Sequence, residues 1–240
     1  MRKFGLIGYP LSHSFSPGYF AKKFEALKIN NARYDLYPLE KIEDFEALKA
    51  DNMTGINVTI PYKEQVIPYL DELSPAAQKI GAVNVIHFQQ GKLLGYNSDA
   101  YGFEQSVTQM WRDKQPQKAL VLGTGGAAKA VWYVLNKLGI EYLKVSRSKG
   151  DVTYSNLTDD IMKTHHLIIN TTPLGMSPNI DACPTLSYNQ LTDKHMLYDL
   201  VYNPELTLFL RKGKEHGATV KNGYDMLELQ ADRSWEIWNN

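Results

Sequence analysis

Two periodicities alternate along this chain. Short runs of β-branched and aliphatic residues, bounded by glycine, proline or polar residues, predict strands over 4–8, 32–38, 55–60, 119–123, 141–145, 167–170 and 196–200. The runs 82–89 and 92–95 predict a hairpin that turns at Gln90-Gly91. Between the strands, apolar residues three and four apart predict helices over 16–27, 42–49, most of 66–80, 100–112, 127–138, 206–212 and 225–238. Ser16-Pro17 reads as a helix start, with serine as cap and proline in the first turn. The last helix is amphipathic, with Met226, Leu229, Trp235 and Trp238 among its apolar positions. The polar stretch 113–118 contains a proline and reads as a connector.

This alternation predicts an α/β protein with largely parallel sheets, and a second unit beginning near Asp99. A chain of 240 residues has room for one large domain or two modest ones, and 43% hydrophobic content suffices for packed cores. Lys+Arg and Asp+Glu number 26 each, so the formal net charge is zero. That balance argues against nucleic acid or an anionic membrane as partner and for a small-molecule ligand. The single cysteine, Cys183, permits no intrachain disulfide, and no cysteine cluster is present to hold a metal. The apolar run 4–8 is too short for a signal peptide, and no run approaches the ~20 residues of a membrane span. A soluble, cytoplasmic protein without a metal site is expected.

Gly55-Ile-Asn-Val-Thr-Ile-Pro-Tyr-Lys63 carries the most chemistry. A β-branched strand runs into Pro61, which has no N–H to continue the ladder. Asn57, Thr59 and Lys63 then offer amide, hydroxyl and ammonium groups around one strand end. Strand alternation puts Asn57 and Thr59 on one face, where unpartnered polar groups cost stability. The segment reads either as a ligand site or as a satisfied turn with a solvated lysine. Ser12, Ser14 and Ser16 lie between a strand and a helix start, a setting that suits a carboxylate and equally a capping cluster. His13 stands among them as a general base or a solvated loop side chain. Asp99 reads as a cap for the following helix or as a partner for Lys63.

Leu120-Val-Leu-Gly-Thr-Gly-Gly-Ala-Ala128 fits G-x-G-x-x-A, with Gly123, Gly125 and Ala128 in the three fingerprint places. It lies after a strand and before a helix, where glycines let the backbone approach a pyrophosphate and helix N–H groups face it. The next strand ends in Ser146-Arg147-Ser148-Lys149, without the acid that commonly holds the ribose hydroxyls of NAD. Cations and hydroxyls there suit a 2′-phosphate, which favours NADP(H). Asn170-Thr-Thr-Pro-Leu-Gly-Met176 follows the third strand of this unit, as a ligand loop or as ordinary turn chemistry.

Taken in order, S-H-S-F-S-P, G-I-N-V-T-I-P-Y-K, G-A-V-N, G-Y-N-S-D, G-T-G-G-A-A, S-R-S, N-T-T-P-L-G-M, D-L-V-Y-N-P and G-Y-D-M-L-E-L-Q make nearly the whole chain resemble the shikimate dehydrogenase family. The resemblance implies a substrate domain over 1–100 and 225–240 and a Rossmann-like NADP-binding domain over 101–224, with the active site in a cleft. It implies that Ser14 and Ser16 hold the shikimate carboxylate. By the same match Thr59, Lys63, Asn84, Asp99, Tyr202 and Gln230 surround the ring hydroxyls. Gly123, Thr124, Gly125, Gly126, Ala127, Ser146, Arg147, Ser148, Leu200 and Gly223 would lie against the cofactor. Gln230 on the last helix implies that this helix returns to the substrate domain. The chain departs from the family's usual pattern at Ala100, where glycine is common, at Ser98, where threonine is common, and at Gly18-Tyr19-Phe20, where a His-Asn pair is frequent.

The implied reaction is reversible reduction of 3-dehydroshikimate to shikimate by NADPH, in a monomer or a homodimer, as part of aromatic amino-acid biosynthesis. Lys63 is the candidate proton donor, and Asp99 would orient it and bond a substrate hydroxyl. A quinate/shikimate dehydrogenase of broader specificity is a near alternative. A methylene-tetrahydrofolate dehydrogenase-like protein shares the architecture and a lysine but leaves the serine cluster unexplained. A non-catalytic shikimate and dinucleotide sensor on the same fold is the alternative from another class.

Overall fold

The computed structural model describes residues 1–12, 14–49, 51–111 and 115–240. Packing divides them into two units, Met1–Tyr101 with Gln230–Asn240, and Gly102–Leu229.

The first unit is built on a six-stranded sheet. Its elements are β1 (Arg2–Gly8), α1 (Ser16–Ala26), β2 (Ala32–Pro38), α2 (Phe45–Lys49), β3 (Gly55–Val58), β4 (Glu72–Leu73), α3 (Pro75–Ile80), β5 (Val85–Gln89), β6 (Lys92–Tyr96) and the start of α4 (Asp99–Thr108). The strand order is β2-β1-β3-β5-β6-β4. β1, β2 and β3 are parallel, whereas β5 runs antiparallel to both β3 and β6. Three of the five strand pairs of this sheet are parallel, as expected, and both antiparallel pairs involve β5, the first strand of the expected hairpin. The hairpin reverses at Gln90 and Gly91, where the sequence placed it, and both take positive φ, +52° and +79°, as a tight two-residue turn requires. Residues 66–80, expected to be mostly helical, instead form a 3₁₀ turn at Ile67–Tyr69, the short strand β4 and the helix α3. Two prolines, Pro68 and Pro75, break the run, and the Ser74 side chain accepts from the Ala77 N–H to start α3 afresh.

Strand alternation sends apolar side chains to both faces of this sheet. Ile7, Ile56, Val58, Phe45 and Val66 pack on one face, and Phe4, Phe20, Phe24, Val85 and Trp238 on the other. Trp238 Nε1 donates to the Ile86 carbonyl at 3.0 Å. Its ring lies so close to Gly55 that a Cβ there would collide with Nε1.

The second unit carries β7 (Lys118–Leu122), α5 (Gly126–Lys137), β8 (Glu141–Ser146), β9 (Val152–Thr153), α6 (Asp159–Thr164), β10 (Leu167–Asn170), β11 (Met196–Asp199), α7 (Leu208–Glu215), β12 (Thr219–Lys221) and the first turns of α8 (Tyr224–Ile237). All its strand pairs are parallel, in the order β12-β11-β10-β7-β8-β9. This is the doubly wound order of a dinucleotide-binding fold, and it reverses direction between β7 and β10. The strands β10 and β11 are buried along most of their length, as expected when helices cover both faces. The short elements β9, α6 and β12 carry too few periodic residues to stand out in the sequence. Among the described residues, no helix is long and apolar enough to cross a membrane.

Candidate active site

β3 ends at Val58, and the chain turns over Thr59–Tyr62, closed by the Tyr62 N–H donating to the Thr59 carbonyl at 2.9 Å. The turn delivers Lys63, whose carbonyl accepts from the Val83 N–H at 2.7 Å. Its ammonium donates to Asp99 Oδ2 at 2.6 Å, with the two side chains only 16% and 9% exposed. The other carboxylate oxygen, Oδ1, accepts from Asn84 Nδ2 at 2.9 Å. Of the two roles the sequence left open for Asp99, pairing is the one its carboxylate takes. The Ala100 N–H at the start of α4 goes to Asn97 Oδ1 instead.

Asn84 is the hub of this cluster. Its Oδ1 accepts from the Ser98 N–H at 2.6 Å, which fixes the amide so that Nδ2 faces Asp99. The same Nδ2 lies 3.0 Å from Ser98 Oγ and 3.4 Å from Gln230 Oε1 on α8. Lys63, Asp99, Asn84 and Gln230 are thus gathered from four separate stretches of chain.

Asn57 does something the sequence did not reveal. It is buried, and its hydrogen bonds are internal. Oδ1 accepts from the Tyr34 phenol at 2.8 Å, while Nδ2 donates to Ser234 Oγ at 2.9 Å and to the Asn84 carbonyl at 3.2 Å. Its polar groups are satisfied by β2, α8 and the residue before β5, so Asn57 is a strut and not a ligand group. Ser234 is fully buried on α8, four residues after Gln230, and its hydroxyl donates to the Gln230 carbonyl at 2.8 Å. That i, i+4 relation was the one available hint to its role.

The serine cluster lies in the same unit. Ser14 Oγ donates to the Leu11 carbonyl at 2.9 Å. Ser16 is the first residue of α1 and not its cap, as Phe15 occupies that place in helical conformation without a side-chain cap. Burial raises the pKa of the Tyr34 phenol well above the usual tyrosine value, and the Ser16 hydroxyl works against that rise. Thr59 sits at the end of β3, half-buried. His13 lies outside the described residues.

In the second unit, the glycine loop leaves β7 at Leu122. Gly123 has φ +110°, and a Cβ there would meet Thr171 Oγ1 at 2.6 Å, so both conformation and packing demand glycine. Gly125 differs. It caps α5 in extended conformation with φ −79°, and a Cβ on it would meet nothing within 4 Å. The fold does not need glycine at 125, whereas a pyrophosphate approaching the start of α5 does. Gly126 and Ala127 open the helix, and Ala128 is fully buried, letting α5 pack close to the sheet. Thr124 lies in the loop between Gly123 and Gly125.

At the end of β8, Ser146 Oγ accepts from the N–H groups of Ser148 and Lys149 at 3.2 and 2.7 Å, which closes the turn. Arg147, Ser148 and Lys149 project into solvent. The next acid, Asp151, is occupied by the Lys144 N–H at 2.8 Å. The turn therefore presents cations and hydroxyls and no carboxylate, which fits a 2′-phosphate. Leu200 and Gly223, far apart in sequence, are in contact. A Cβ on Gly223 would collide with the Leu200 carbonyl oxygen. Tyr202 belongs to this unit. It is half-buried, its ring is 6.5 Å from that of Tyr224, and burial raises its pKa.

Known proteins share this sequence and architecture. Residues 6–86 match the family model described as the shikimate dehydrogenase substrate binding domain. A curated relative from Carboxydothermus hydrogenoformans, named shikimate dehydrogenase (NADP(+)), is 39% identical over 255 residues, covering 98% of this chain and 90% of its own. The crystal structure of shikimate dehydrogenase from Aquifex aeolicus aligns with a TM-score of 0.89 at 33% identity, over 100% of this chain and 92% of its own. The shikimate 5-dehydrogenase of Thermus thermophilus, solved in complex with NADP(H) and shikimate, aligns with a TM-score of 0.86 at 31% identity, over 99% and 93%.

Proposed function

The chain belongs to the shikimate dehydrogenase family, and from that premise we propose that it catalyses the reversible NADPH-dependent reduction of 3-dehydroshikimate to shikimate, a step of aromatic amino-acid biosynthesis. The observation that carries this reading is the buried Lys63–Asp99 pair with Asn84 on its second oxygen. The first unit is the substrate domain in this reading and the second the NADP domain.

Ser14 and Ser16 hold the ring carboxylate. Thr59, Asn84, Asp99, Tyr202 and Gln230 bond the ring hydroxyls and fix which carbon reacts. NADPH, when bound, supplies the hydride. Gly123, Thr124, Gly125, Gly126 and Ala127 receive its pyrophosphate, and Ser146, Arg147 and Ser148 its 2′-phosphate. Leu200 and Gly223 would lie against the cofactor.

Reduction puts negative charge on the ketone oxygen. Lys63 stabilises that charge and delivers a proton from Nζ, and in the oxidation it takes the proton back. Asp99 accepts from Lys63 through Oδ2, which restrains a flexible four-carbon side chain to one direction. Asn84 holds Asp99 in turn. A cytoplasmic setting accords with the single cysteine.

The deciding experiment follows absorbance at the nicotinamide band with shikimate and NADP+, with quinate and NAD+ in parallel. NADP+-dependent oxidation of shikimate is expected. Binding of both ligands with no absorbance change would make the protein a sensor, and comparable use of quinate would make it a dehydrogenase of broader specificity.

A further inference from the structure

The second unit contains a buried carboxylate that the reaction leaves unused. Asp199, the last residue of β11, is fully inaccessible to solvent. Among the described residues no cation pairs with it, and burial pushes its carboxyl up to about 6. A buried ion without a counter-ion costs stability unless hydrogen bonds offset the loss of water. Here three neutral donors converge on it. Oδ1 accepts from Asn170 Nδ2 at 2.9 Å and from the Val201 N–H at 3.0 Å, and Oδ2 accepts from Thr207 Oγ1 at 2.6 Å.

These bonds tie three segments together at the carboxyl edge of the sheet. Asn170 ends β10, and its Oδ1 accepts from the Thr172 N–H and hydroxyl at 3.0 and 2.7 Å, which shapes the loop after that strand. Thr207 caps α7 by accepting from the Leu210 N–H. Between them lies Leu200, whose N–H donates to the Asn170 carbonyl at 2.9 Å and whose carbonyl presses on Gly223. Leu200 is thereby fixed through both its peptide units, the one before it by its own N–H on Asn170 and the one after it, which carries its carbonyl, by the Val201 N–H on Asp199. In a doubly wound sheet this edge of the second half, β10 to β12, receives the second nucleotide of a dinucleotide.

We propose that Asp199 is a positioning residue for the nicotinamide half of NADP(H), acting through Leu200 and the loop after Asn170. The inference rests on the reading of this unit as the NADP domain. Asp199 does not touch the cofactor. It sets the backbone that does.

The test is calorimetric titration of NADP+, and separately of shikimate, into the full chain and its variants, with circular dichroism to establish folding. Asp199→Ala removes all three acceptor bonds and should weaken NADP+ binding by about tenfold or more, with shikimate affinity within about twofold of wild type. Asp199→Asn keeps the acceptor for Asn170 and Val201 and should restore NADP+ affinity to within about threefold. A merely structural role would lower stability and leave the affinity of the folded protein unchanged. Folded Asp199→Ala binding NADP+ as wild type does would overturn the proposal. Should that variant fail to fold, Thr207→Val and Asn170→Ala each remove one partner. Each should weaken NADP+ binding by about threefold, and unchanged affinity in both would overturn it equally. Wild-type protein that does not bind NADP+ would instead overturn the reading of the unit itself.

Discussion

Lys63 Nζ donates to Asp99 Oδ2 at 2.6 Å across 36 positions of sequence. Both side chains are largely withdrawn from water. Such a pair costs desolvation, and its attraction offsets that cost only with good geometry and further hydrogen bonds. Asn84 supplies one of those bonds. The pair therefore holds an ammonium in one direction, which a proton donor to a ketone requires.

Replacing Lys63 with alanine should remove the proposed proton donor while leaving the groups proposed to grip the substrate. Turnover is expected to fall roughly a hundred- to ten-thousand-fold, with a much smaller change in the dissociation constant for shikimate. Steady-state rates beside a binding titration separate the two. Near-normal turnover would take Lys63 out of proton transfer.

The turn after β8 should set cofactor choice. Arg147 projects into solvent beside Ser148 and Lys149. Arg147→Ala should weaken NADP+ binding by about tenfold and change NAD+ binding little, since only NADP+ carries the 2′-phosphate. Equal losses for both dinucleotides would place the arginine's contact elsewhere.

The two loop glycines should fail in different ways. Gly123→Ala puts a Cβ on a residue at φ +110° and 2.6 Å from Thr171 Oγ1, and should cost about 2–4 kcal/mol of stability. Gly125→Ala meets no protein atom, so its thermal midpoint should stay near wild type while NADP+ affinity drops. Thermal unfolding with and without NADP+ reads both. A Gly125→Ala protein that binds NADP+ normally would show that the backbone there is not approached closely.

Asp199 should leave a signature in the pH dependence of stability. Its folded pKa, about 6, lies above the ordinary value of 3.8. Between those values the folded state binds a proton that the unfolded state has released, so this group makes stability fall as pH rises from about 4 to 6. Above pH 6 the cost is constant, at roughly 3 kcal/mol for a shift of this size. Asp199→Asn cannot titrate. Denaturant unfolding should show the variant gaining on wild type through that window, and a constant difference would mean the carboxyl titrates normally.

Asn57→Ala should destabilise the first unit by about 1–3 kcal/mol, because it takes the buried acceptor from the Tyr34 phenol and removes the amide's bonds to Ser234 Oγ and the Asn84 carbonyl, each of which keeps another partner. Ser234→Ala removes one of those partners and should cost less. Urea unfolding of both tests this, and a neutral Asn57→Ala would mean water replaces the amide.

Much of this molecule was legible one residue at a time. Strand and helix positions follow from local periodicity, and the glycine loop, the basic turn and the lysine-bearing strand are short contiguous motifs whose chemistry travels with them. The sequence also named Lys63, Asp99, Asn84 and Gln230, although it left Asp99 poised between cap and partner. Local patterns also gave the hairpin at Gln90-Gly91, and they misled where prolines fragment the run 66–80. They left Asn57 open between ligand and satisfied strand residue, because whether a polar side chain on a strand is satisfied depends on β2 and α8, which pack beside it from distant stretches of chain. Only the tertiary structure could show that Gly123 is required by Thr171 while Gly125 faces open space. It alone brought Asn170, Val201 and Thr207 onto Asp199. Periodicity is set by the backbone's own repeat and is written locally, whereas partnership, burial and clearance belong to pairs of distant residues and exist only once the sheets have formed.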